Sequence, residues 1–149
     1  MLPTSVEDEG PTALMRRESR SLVQRLRLWT PARYAADAPP HGTRGDLVHH
    51  LVQDLADLAA QAEGQPRREV PRLDDLGLAD QLAVNSDDLV RADPPAELAR
   101  AVTAHLLLHR QDLLDEPPPP GLLARLGTPL AGSCGLHAGD RPSPYAAGD

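Results

Sequence analysis

The sequence predicts an all-α fold, a four-helix bundle with a disordered C-terminal tail, and three observations carry that expectation. The apolar content comes mainly from Leu, Val and Ala: the chain has 149 residues with 25 Leu, no Phe and no Ile, and Leu and Ala favour helix. Four segments repeat apolar residues at helical spacing. Prolines gather between those segments or at their starts, where helices stop and begin. One core suits this length, since a domain takes about 100–200 residues. The expected division is a flexible N-terminus over 1–11, a helical domain over 12–126 and a Pro/Gly-rich tail over 127–149.

The first helix is predicted from Thr12 to Trp29, with Met15, Leu22, Leu26 and Trp29 on one stripe and the arginines opposite, and Pro31 marking its end. Thr30 to Gly42 holds three prolines and no sustained period, so it reads as a crossing loop that Tyr34 is placed to pin. Thr43 and Asp46 approximate a capping box, and Leu47, Val48, Leu51, Val52, Leu55, Leu58, Ala59 and Ala62 follow at helical spacing. Gly64 and Pro66 stop this second helix, and the EVPRL segment beyond is too short and isolated for a sheet. A third helix over Leu76–Ala92 presents Leu78, Leu82, Ser86, Leu89 and Val90. Asp93 is the expected cap of a fourth, with Pro94 and Pro95 in its first turn and Leu98, Val102, Leu106, His109 and Leu113 sharing a face. Pro117–Pro120 ends it, and a short helix returns at Gly121–Leu126.

Composition removes several function classes. All 15 basic residues are Arg and the net charge is −7, so nucleic-acid binding is not expected; Arg16, Arg17, Arg20, Arg25 and Arg27 read as a solvated helix face. No stretch approaches the roughly 20 apolar residues of a membrane span, and Glu7, Asp8 and Glu9 crowd a start that carries no signal-peptide pattern. A cytoplasmic location is the expectation. Cys134 is the single cysteine, which excludes an internal disulfide and a cysteine zinc cluster. Without lysine there is no GxxxxGK[ST] phosphate loop, and no serine sits in a GxSxG setting.

The histidines are the chemical clue. His105 and His109 form an HxxxH pair toward the apolar face of the fourth helix, and two imidazoles one turn apart can share a divalent metal. A third ligand from a facing helix completes a three-ligand centre with an open position; His50 is the candidate, ahead of His49. Both flank the apolar stripe of the second helix and reach inward only if another helix packs on that side. Asp112, near His109, and Asp46, one turn before His50, are placed to hold the imidazole tautomers. The alternative is that His105 and His109 are hydrogen-bonded core residues and His49 and His50 surface ones.

At TRGDLVHHL (Thr43–Leu51), HLLLHRQDLL (His105–Leu114) and the proline stop followed by GLLARLG, the chain resembles the DinB-like superfamily, in particular the N-terminal domain of mycothiol-dependent maleylpyruvate isomerase-like proteins. The likeness touches residues 12–126. It implies a four-helix bundle whose divalent metal, typically zinc, is held by His50, His105 and His109. It also implies binding of a low-molecular-weight thiol, with thiol-dependent transfer or isomerisation on an electrophile. A second class stays open: a non-enzymatic interaction or structural module that meets a partner through the Arg-rich first helix or through Pro117–Pro120.

Overall fold

The computed structural model describes residues 9–118 and 120–126. The expected tail over 127–149, and the expected flexible N-terminus apart from its last residues, lie outside the described residues. Six α-helices are present among the described residues: α1 (Pro11–Arg27), α2 (Pro31–Ala35), α3 (Arg44–Glu63), α4 (Leu78–Arg91), α5 (Ala96–Leu114) and α6 (Leu122–Leu126). The four long ones form the bundle. No strand forms among the described residues; Asp37 and Thr43 share a single bridge.

Local chemistry explains the boundaries. Pro11 opens α1, where its missing N–H costs nothing. Pro31, expected as a stop, instead opens α2, because the Thr30 hydroxyl accepts from the Arg33 N–H and caps that turn. Tyr34 is the pin it was expected to be: it is buried, its hydroxyl donates to the Leu26 carbonyl at 2.8 Å, and its ring meets Trp29 edge-on. Thr43 and Asp46 make both bonds of the capping box, and Gly64 closes α3 in the left-handed region at φ 66°. Asp93 is not the cap of α5. It stands at φ 48° and α5 begins two residues past the proline pair's start, at Ala96, without a side-chain cap.

In the bundle α3 packs on α4, α4 on α1 and α1 on α5, and α3 and α5 close the ring over a shorter interface. Polar contacts give the directions. Glu18 meets Arg110 and Arg25 meets Glu116, so α1 and α5 run parallel. Arg27 meets Asp80, which reverses α4 against α1. Arg44 reaches the Leu113 carbonyl while Asp54 meets His105, so α3 and α5 are antiparallel. The 64–77 connection therefore carries the chain back along the bundle, anchored by the Gln53 side chain to the backbone of Arg68 and Val70.

The core is a Leu-rich cluster from α1, α3, α4 and α5 with Met15, Trp29 and Tyr34. Each buried Leu contributes about 1.5–3 kcal/mol. A smaller cluster of Ala104, Leu107 and Leu126 seats α6 on α5. With α1, α3 and α6 on three sides, α5 is buried around most of its circumference, well beyond the single face that its spacing predicts.

Candidate metal centre

The α3–α5 interface holds the chemistry. His105 lies on α5 and Asp54 on α3, 5% and 4% exposed, and the His105 Nε2–H donates to Asp54 Oδ2 at 2.8 Å. His109 sits one turn further along α5, its ring centroid 4.2 Å from that of His105. One donor atom from each of Asp54, His105 and His109 lies within 4.8 Å of the others.

The tautomer of His109 is fixed by the backbone. Its Nδ1–H donates to the His105 carbonyl at 3.0 Å, a carbonyl being able only to accept, so Nε2 carries the lone pair. Metal-binding histidines are commonly oriented in this way. Burial first, and then the neighbouring His105 ring, push His109 down to about 4 from an ordinary 6.5. The imidazole is therefore neutral at physiological pH, the form a metal requires.

The other expected residues are elsewhere. His50 is half-buried and stands outside the three-donor group; its ring lies 5.2 Å from that of His41. His49 is half-buried, its Nδ1 has no hydrogen-bond partner, and burial lowers its basicity. Asp46 does not hold an imidazole. Its carboxylate accepts the Thr43 N–H and meets Arg72, and the Thr43 bond holds it below the usual carboxylate range. The part expected of Asp112 at His109 Nδ1 is filled by the His105 carbonyl; Asp112 is exposed and lines a neighbouring groove.

Asp54 is the residue that the spacing argument passed over, because a carboxylate on an amphipathic helix is ordinarily solvated. A signal was present. On a helical wheel Asp54 falls about 20° from Leu47 and about 60° from Leu51, inside the leucine stripe. A charge within such a stripe needs a buried partner.

No protein-family model matches the chain, and no curated protein or solved structure matches it significantly.

Proposed function

We propose that the chain is a DinB-like metal-binding bundle in which Asp54, His105 and His109 hold one divalent ion, zinc first among the candidates, and in which a small thiol is the exchangeable partner in transfer or isomerisation. The carrying observation is the convergence of three donors from two facing helices within 4.8 Å, two of them almost wholly buried. Two imidazoles and one carboxylate match the donor set of catalytic zinc sites, which keep one position open.

When bound, such an ion stabilises a thiolate at neutral pH and leaves it able to attack an electrophilic carbon. The residues set the conditions for this. Asp54 neutralises only one of the two positive charges, so an anionic fourth donor is favoured. His109 stays neutral through its burial, and its ring is held by the His105 carbonyl. To hold the ion through Nε2, the His105 ring would carry its proton on Nδ1, and its bond to Asp54 would give way to the metal.

A second reading rests on one observation: His105 and Asp54 hydrogen-bond to each other at 2.8 Å, as a purely structural pair would. The chain is then a non-enzymatic helical module. Metal analysis of the untagged protein after zinc reconstitution separates the two. The metal reading expects about one ion per chain, lost in Asp54→Ala, His105→Ala and His109→Ala. Retention in His50→Ala supports the Asp54 set over the His50 set, and no bound metal in wild type refutes the proposal.

A further inference from the structure

In the ring of four long helices, the edge where α4 packs on α1 lies opposite the α3–α5 edge that carries the three donors. Its outer face holds a groove of about 400 Å³. The floor is small and satisfied within itself: Ser19 and Ser86 are buried, and their hydroxyls donate to carbonyls of their own helices. The charge is on the walls. Arg20 and Arg27 stand on the α1 wall and Asp87 on the α4 wall. Asp80 closes one end, paired with Arg27 at 3.0 Å. All four are exposed, and Arg20 and Asp87 make no hydrogen bond or ion pair with any described residue.

The spacing of these charges complements itself. Arg20 and Arg27 are seven residues apart on α1, and Asp80 and Asp87 are seven apart on α4, so each pair spans about 10.5 Å, close to two helical turns. Because α4 runs against α1, Arg27 faces Asp80 at one end of the groove, and Arg20 and Asp87 flank the other. The four charges mark the corners of a rectangle, positive along one long side and negative along the other. A two-fold axis standing on its centre exchanges those sides. It lays Arg20 of the partner subunit over Asp80 and the partner subunit's Arg27 over Asp87, and each copy gives two such contacts and receives two. It also brings Val84, apolar yet 58% exposed on α4, against the other copy at the level of Val23 and Gln24. A simple anion meets the aspartate wall and a simple cation the arginine wall, so a partner with both signs fits this face better than either.

We infer that the α1–α4 face is a self-complementary interface on which a second copy of this chain packs, basic wall on acidic wall. The face is about 21 Å long over the 14 residues of α4 and roughly 20 Å wide at about 10 Å per helix. That is about 400 Å² a side against the roughly 800 Å² of a standard interface, so the dimer is weak, forms with rising concentration and yields to salt. The three donors, on the opposite edge, stay uncovered.

Sedimentation velocity on the untagged full chain, over a concentration series, tests this. Wild type should pass from monomer to dimer as concentration rises at low salt, and added salt should weaken the dimer. Arg20→Gln/Asp87→Asn removes only charges that have no partner within the monomer. It should raise the dimer Kd about tenfold or more, at up to about fivefold for each of the four exposed pairs lost. Arg20→Asp/Arg27→Asp makes both walls acidic and Asp80→Arg/Asp87→Arg makes both basic, so each should stay monomeric alone while their equimolar mixture forms a mixed dimer. Wild type that stays monomeric throughout overturns the inference and leaves the face to another occupant. A dimer that the neutral variant leaves unchanged overturns it as well, placing the contact elsewhere on the molecule. So does a mixture that stays monomeric while circular dichroism shows both reversed variants helical; if either has lost its helices, the neutral variant decides alone.

Discussion

Replacing Asp54 by Leu tests the buried pair independently of any metal. The substitution keeps a comparable volume and removes the acceptor of the His105 Nε2–H, a bond of 2.8 Å between side chains 6% and 4% exposed. The donor left behind is almost wholly buried. Leaving a buried donor unsatisfied by deleting its partner costs about 1–3 kcal/mol, a sizeable share of a domain stability of about 5–15 kcal/mol. At about 4 °C per kcal/mol, where the ranges for smaller and larger domains meet, a loss of about 2 kcal/mol lowers Tm by roughly 8 °C. The double variant Asp54→Leu/His105→Leu removes both polar partners and fills the space with apolar atoms, so it should recover to about the wild-type value or exceed it. Urea unfolding of metal-free protein with chelator at neutral pH gives both numbers, with an unchanged m-value as the check that the unfolded state is the same. A stability for Asp54→Leu within about 0.5 kcal/mol of wild type refutes the reasoning, because that is the range of an ordinary surface change. So does a double variant as unstable as the sum of the singles, because it shows no coupling.

In metal-free protein His109 should titrate near 4 rather than 6.5, read from its ring proton by NMR. Between those values the unfolded chain binds more protons at this residue than the folded one, so its contribution, about 3 kcal/mol, is complete above pH 6.5 and is lost as pH falls toward 4. A midpoint of 6 or above contradicts the burial argument. Tyr34→Phe removes one of two donors to the Leu26 carbonyl, which keeps the Trp29 N–H, and should cost about 1 kcal/mol in urea unfolding; no loss shows that the hydroxyl bond adds nothing to stability. Thr43→Ala removes the side-chain half of the capping box on α3 and should cost about 1 kcal/mol, while Thr43→Ser should restore most of it.

The bundle was legible in the sequence because helix periodicity, caps and proline placement are local: Met15, Leu22, Leu26 and Trp29 are buried together, and the Thr43 capping box forms as its spacing indicates. Local rules misplaced edges and passed over the short α2 within the expected crossing loop. Pro31 opens a turn because Thr30 caps it, and Asp93 yields the start of α5 to the backbone set by the prolines after it. His105 and His109 were visible as a pair for the same reason, one turn of one helix. The third donor could not be chosen that way. Which residue of α3 meets His105 depends on the antiparallel register of two helices far apart in sequence, fixed by Arg44 on Leu113 and Asp115 at one end and by core packing along the rest. That register brings Asp54 to His105 and leaves His50 beside His41. The sequence by itself therefore determined that four amphipathic helices bury a leucine core and that two histidines share a face. Only the tertiary structure decided which carboxylate meets them, because register is a property of the packed pair and of neither helix alone.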